Sequence, residues 1–219
     1  MRVDYERNLK QLQDKVLVLG SMVEKAIDLS MEAMRNRDIE LARKLVADDD
    51  FINVKRYEIE EDCIHLIATQ APMARDLRII VAVLNIIIDL ERIGDHAAGN
   101  AKIAIMLGEE PPLKPLIDLP RMSEKTADML HRALDAFIKR DAEAARVVTN
   151  EDDEVDALYD QIFRELLFFM AEDPKTVSRA TRLIWAAHNL ERSADRVTNI
   201  CERVVFVVTG KQEEIAGKY

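Results

Sequence analysis

Glycine and proline are scarce, with 6 of each in 219 residues, and aromatic residues make up only 5%. Sandwiches and barrels need frequent turns and many aromatic and β-branched residues, so this shortage argues against them and leaves long helices as the starting class. Cysteine is scarcer still, with 2 in the chain. Cys63 and Cys201 stand inside helical patterns without CxxC spacing, which points to buried reduced thiols rather than a disulfide or structural zinc. Long apolar runs are missing too: the longest, 79–88, is interrupted by Asn85 and is too short to cross a bilayer. The opening stretch MRVDYERNLKQLQDK carries charge throughout and lacks the apolar segment of a secretion signal, so a cytoplasmic chain is expected. Positive charge is in deficit, 31 Lys+Arg against 41 Asp+Glu, giving a net charge of −10. Such a surface repels nucleic acid and anionic lipid, which argues against a dedicated DNA-binding module. Finally, no GxSxG, Walker A, GxGxxG or HExxH pattern is present, which removes the commoner hydrolase, NTPase and dehydrogenase readings.

What is present is repetition. Prolines 111, 112, 115 and 120 cluster in the middle, and Pro72 and Pro174 fall at similar places in the two halves. Leu90-Glu91-Arg92-Ile93-Gly94-Asp95 aligns with Leu190-Glu191-Arg192-Ser193-Ala194-Asp195 at an offset of 100. Arg37-Asp38-Ile39-Glu40-Leu41-Ala42-Arg43 aligns with Arg140-Asp141-Ala142-Glu143-Ala144-Ala145-Arg146 at an offset of 103. Each half therefore carries the same ordered marks, an acidic cluster, a turn proline and LERxxD, as an internal duplication would leave them.

Within each half the apolar period is helical. Leu9, Leu12, Val16, Leu19, Val23 and Ile27 advance by three or four, predicting a first helix that ends near 37–38, where Asp38 caps the next. A second helix is expected to about Thr69, and a third, about 50 Å long, from beyond Pro72 to a stop at Gly108. The second half is expected to repeat this with helices at about 121–140, 141–171 and 175–209, stopped by Gly210. The predicted fold is all-α: two tandem antiparallel three-helix bundles, 1–108 and 121–219, joined by a proline-rich linker at 109–120.

Glu91 and Asp95 are four apart on a helix, as are Glu191 and Asp195, so each pair projects from one face with Cβ atoms about 6 Å apart. Asp49 and Asn53, and likewise Asp152 and Asp156, have the same spacing on the helix that runs antiparallel to LERxxD. One acidic pair alone is weak evidence in so acidic a chain, but recurrence in register is not what a solvated face requires. Like charges converging on one spot raise one another's pKa unless a cation neutralises them, and oxygen-only donors suit Mg²⁺, Mn²⁺, Ca²⁺ or iron. Other candidates rank lower. Asp62 and His65 have di-iron spacing, yet the second half has no histidine near Gln161. His96 points about 100° away from Asp95 and is expected beside a site or at the surface. Arg75, Asp76 and Arg78 read as a solvated first turn, and Trp185 as core.

Ala71-Pro72-Met73-Ala74-Arg75-Asp76-Leu77-Arg78, followed by Asp89-Leu90-Glu91-Arg92-Ile93-Gly94-Asp95-His96, resembles the first-repeat signature of the PhoU family of phosphate-signalling regulators. Asp153-Glu154-Val155-Asp156-Ala157-Leu158-Tyr159, Arg164-Glu165-Leu166 and Asn189-Leu190-Glu191-Arg192-Ser193-Ala194-Asp195 with Asn199-Ile200-Cys201-Glu202 resemble its second repeat. The resemblance implies multinuclear metal clusters, of iron or alternatively zinc, manganese or magnesium. Asp49, Glu91 and Asp95 would serve the first cluster, with Asn53 standing where the family usually has an acid. Asp152, Asp156, Glu191 and Asp195 would serve the second, and Arg196 stands where a histidine is common. It also implies a non-enzymatic negative regulator of the phosphate-starvation response that contacts a membrane sensor histidine kinase and the ATPase subunit of a phosphate ABC transporter, with no nucleic-acid partner and room for a homodimer. Two alternatives use the same carboxylates: a metal-dependent enzyme, di-iron or di-manganese, and a metal-storage helical protein.

Overall fold

The computed structural model describes residues 2–108 and 110–213, with side chains from Tyr5 onward. Helix α1 (Arg2–Asn36) buries the expected stripe of Leu9, Leu12, Val16, Leu19, Val23 and Ile27. It ends where Arg37 turns to φ +56°, and Asp38 then caps α2 (Ile39–Gln70), its Oδ1 accepting from the Leu41 N–H at 2.9 Å. The second half repeats the device. Helix α4 (Asp118–Lys139) ends at Arg140, φ +55°, and Asp141 caps α5 (Ala142–Asn150) by accepting from the Ala144 N–H at 2.9 Å. An aspartate oxygen satisfies an orphan N–H of the first turn, which is why an Arg-Asp pair starts the second helix of both repeats.

Helix α3 (Arg75–Leu107) follows Pro72 and stops at Gly108, whose φ of +62° favours glycine. In the second repeat α6 (Asp152–Glu172) and a 3₁₀ turn (Pro174–Thr176) lead into α7 (Val177–Thr209), closed by Gly210 at φ +73°. No strand occurs among the described residues. Helices α1 to α3 form the first bundle, and α4, α5 with α6, and α7 the second. Helix α3 packs on α7 and α1 on α4, while α2 and the α5–α6 pair flank this central layer. One apolar core, including Phe137, Leu90, Ile93, Met122 and Val204, runs through both halves.

Between the bundles α3 and α7 run antiparallel across a polar seam. Asp89, only 8% exposed, accepts from Asn199 Nδ2 at 3.3 Å and Arg196 Nη1 at 3.4 Å. Asn189 Nδ2 donates to Asn100 Oδ1 at 2.9 Å, and His96 Nδ1 lies 3.3 Å from Ser193 Oγ. Both cysteines are buried and free.

Three expectations are corrected. The helix foreseen at 141–171 is two helices, broken at Glu151. Trp185 is 53% exposed, because α7 turns Leu183, Ala186, Ala187 and Leu190 to the core and leaves position 185 outside. Arg78 is half-buried rather than solvated, its guanidinium packed against Gly210 at the end of α7.

Candidate metal centres

In the first repeat α2 and α3 approach closely because residue 94 is glycine. A Cβ there would stand 3.0 Å from Ile52 Cδ1 and 3.7 Å from Asp49 Oδ1. Asp49 therefore lies over α3 beside Glu91 and Asp95. Burial, and then repulsion from Asp95, push its carboxyl above the usual range, while Lys102 pulls the other way. Arg92 Nη1 bonds Asp95 Oδ2 at 3.1 Å, and Arg92 Nε is 3.6 Å from Glu91 Oε2. Asn53 turns its amide back to the Asp49 carbonyl at 3.4 Å, so the α2 side of this patch offers the Asp49 carboxylate alone toward Glu91 and Asp95 of α3.

The second repeat has the same plan with more acid. Asp152 opens α6, and its carboxyl is pushed up to about 7 by burial first, then by Asp156, Asp195 and Glu191. Glu191 is pushed up to about 7 by burial and Asp195, with Arg192 opposing. Burial and Asp195 also raise Asp156. Asp152 Oδ1 and Glu191 Oε2 are buried without a hydrogen-bond partner. His188 Nδ1 comes within 3.2 Å of that Glu191 oxygen, outside hydrogen-bond geometry. Arg192 Nη1 holds Asp195 Oδ2 at 2.8 Å, repeating the Arg92–Asp95 pair.

The helix break at Glu151 sets where Asp152 stands. Arg132 Nη1 donates to Glu151 Oε1 at 2.7 Å, and Lys125 Nζ to Oε2 at 2.5 Å, both from α4. These cations draw the Glu151 carboxyl down to about 2. Sequence reasoning missed this clamp, although Glu151 beside the acidic run was visible. It also missed the Arg–Asp pairs, whose i,i+3 spacing inside ERxxD was a readable signal. The minor candidates fall away from both sites: Asp62 pairs with Lys15, His65 is exposed, and His96 sits in the α3–α7 seam with burial pulling its pKa to about 4.

As donors these groups suit a hard cation or iron, and the two orphaned carboxylate oxygens are what such an ion would satisfy. The fit is chemical rather than geometric. Among the described residues no three His, Cys, Asp or Glu side chains converge closely enough to hold a metal ion. The Arg92 and Arg192 pairs turn Asp95 and Asp195 toward their own helices.

Fold and site together define a duplicated helical-bundle protein that presents one patch of paired carboxylates per repeat. The sequence matches the PhoU domain over residues 16–104 and again over 119–204. The chain belongs to the PhoU family. It is 39% identical over 212 residues to the phosphate-specific transport system accessory protein PhoU homolog of Clostridium acetobutylicum, covering 96% of this chain and 97% of that one. It is 33% identical over 207 residues to the PhoU protein of Escherichia coli K12, covering 94% of this chain and 86% of that one. The crystal structure of PhoU from Pseudomonas aeruginosa superposes with a TM-score of 0.90 at 36% identity, over 94% of this chain and 100% of that one. The phosphate transport system regulatory protein PhoU from Streptococcus pneumoniae gives 0.90 at 30%, over 96% and 99%.

Proposed function

We propose that the chain is a non-enzymatic regulator of phosphate uptake, acting by contact with the ATPase subunit of a phosphate ABC transporter and with a membrane sensor histidine kinase, and restraining the phosphate-starvation response. The observation that carries this reading is similarity over nearly the whole length to proteins named as accessories of phosphate-specific transport, in both repeats. Among the described residues no helix is long and apolar enough to cross a membrane, in keeping with a chain that reaches the membrane only through partners.

The carboxylate patches are proposed as metal sites. Asp49, Glu91 and Asp95, with Asn53 beside them, would hold the first ion or cluster, and Asp152, Asp156, Glu191 and Asp195 the second. A bound cation would neutralise the mutual repulsion of these acids and tie α2 to α3 and α6 to α7, which is a structural task without a chemical step. The second site binds more tightly, because it has four carboxylates against three and both orphaned oxygens.

Affinity capture from phosphate-replete cells of the native host tests the partner reading. Tagged chain should retain the transporter ATPase and the kinase, in amounts that fall for Glu191→Ala. Recovery of neither partner, or turnover of phosphate esters by the metal-loaded protein that Glu191→Ala abolishes, would overturn it in favour of a metal-dependent enzyme.

A further inference from the structure

The duplication supplies an internal control for every position, and at one place the two repeats differ in kind. Between α1, α2 and α3 lies a cavity of about 230 Å³ whose walls include Met22, Ala26, Leu29, Leu41, Leu45 and Ile52. Counting 103 residues on, the offset that aligns Arg37-Asp38 with Arg140-Asp141, its positions 22, 29 and 48 become Lys125, Arg132 and Glu151. Those are the three members of the clamp on the α5–α6 break. The register is sound, since Val23, Ile27 and Leu45 are buried and so are their counterparts Thr126, Leu130 and Val148. Where the second repeat is filled by a bonded cluster of long charged side chains, the first is open and apolar.

The mouth carries charge suited to one class of occupant. Lys25 on α1 and Lys44 on α2 also line the cavity, from opposite helices, and both are exposed. Neither ammonium has an ion pair or hydrogen bond among the described residues. Of the acids at the rim, Asp49 is engaged with Lys102 and the acids of α3, and Asp48 is open to solvent. An apolar cavity of roughly 150 Å³ already takes a benzene ring, so this one has room for a ring or a short acyl chain. Ligand sites are commonly of this kind, apolar walls with a few charged groups that orient the head.

We propose that this cavity of the first repeat binds a small amphipathic carboxylate, its hydrocarbon body among Met22, Ala26, Leu29 and Leu45 and its head group between Lys25 and Lys44. In the second repeat the equivalent positions carry the bonded side chains of Arg132, Lys125 and Glu151.

Decanoate is the probe, with the full chain labelled at its methionine methyl groups and the Met22 resonance assigned through Met22→Leu. Added decanoate should shift the Met22 methyl signal saturably and leave that of Met129, the counterpart of the wall residue Ala26 in the second repeat, unmoved. Inorganic phosphate, which has a charged head and no tail, and decanol, which has a tail and no charged head, should each produce at most a tenth of the effect at equal concentration. Lys25→Gln with Lys44→Gln should raise the dissociation constant about tenfold, on the order expected for losing charge-assisted contacts. Leu29→Arg, which supplies the residue of the second repeat, should abolish binding. If that variant fails to fold, Ala26→Met fills the same space with the counterpart of Met129 and should abolish it instead. No saturable Met22 shift with decanoate would overturn the proposal. So would unchanged affinity in the double lysine variant, or decanoate binding retained in a folded Leu29→Arg or Ala26→Met protein.

Discussion

Removing one negative charge from the second site should stabilise the metal-free protein, and Asp152→Asn is the sharpest case. Its carboxyl rises from an ordinary 3.8 to about 7 through burial and through Asp156, Asp195 and Glu191. A carboxyl whose folded pKa is raised favours the native state only while protonated. Its stability contribution is full below about pH 4 and declines as pH rises toward 7, beyond which the charged form is carried at a cost. Each tenfold change is worth about 1.4 kcal/mol, so the upper bound is roughly 4 kcal/mol. Partial solvent access and sharing of the repulsion among four acids reduce this to about 1–2 kcal/mol. Asp152 also opens α6, where a negative charge gains about 0.5 kcal/mol from the helix dipole. The net gain should still be near 1 kcal/mol, or about 2–4 °C in a chain of this size. Thermal melts in EDTA at pH 5 and pH 8 read it: the variant should melt higher than wild type at pH 8, and the gain should shrink at pH 5. In Mn²⁺ the order should reverse, because wild type keeps the fuller donor set. A variant that melts lower at pH 8 in EDTA, or gains equally at both pH values, would refute the electrostatic reasoning.

Glu151→Gln should cost about 1–3 kcal/mol in urea unfolding at pH 7, since it takes the charge from a carboxyl held by Arg132 and Lys125 at about 2. That contribution is present above the ordinary glutamate range near 4.5 and fades as pH falls toward 2, so the variant and wild type should converge in acid. Gly94→Ala should lose stability despite the gain of about 1 kcal/mol in helix propensity, because its Cβ meets Ile52 Cδ1 at 3.0 Å in a packed interface. The corresponding positions of the second repeat are Ala194 and Val155, so adding Ile52→Val should recover most of the loss, with a double-mutant coupling above about 0.5 kcal/mol. Additive effects would contradict that packing. Asp195→Ala should weaken Mn²⁺ binding by titration calorimetry more than Asp95→Ala does, and the opposite order would count against the ranking of the two sites.

The parts of this fold that local chemistry decides were readable in the sequence. Asp38 caps the helix expected of it, Gly108 and Gly210 stop theirs, and both cysteines are buried. The acids that raise one another's pKa, Asp152 with Asp156, Glu191 and Asp195, were found because the repeat placed them in register. What escaped depends on partners distant in the chain. Glu151 breaks a helix without proline or glycine, and the cause is a pair of cations 19 and 26 residues earlier. Trp185 obeys helical spacing but lies on an exposed side of α7, which periodicity alone does not reveal. Asp89 meets Arg196 and Asn199 only because the bundles dock through α3 and α7. The cavity at Met22 and Leu29 emerges only when the residues of one repeat are seen to fill what the other leaves open.

Regulation of phosphate uptake is tested most directly in the native host. A reporter driven by a phosphate-starvation promoter is measured in phosphate-replete medium, in wild-type cells and in cells lacking this chain. The reporter should be silent in wild type and switched on by the deletion, and a plasmid copy of the chain should silence it again. Repression that stays intact without the chain would contradict the proposed role as a brake on phosphate signalling.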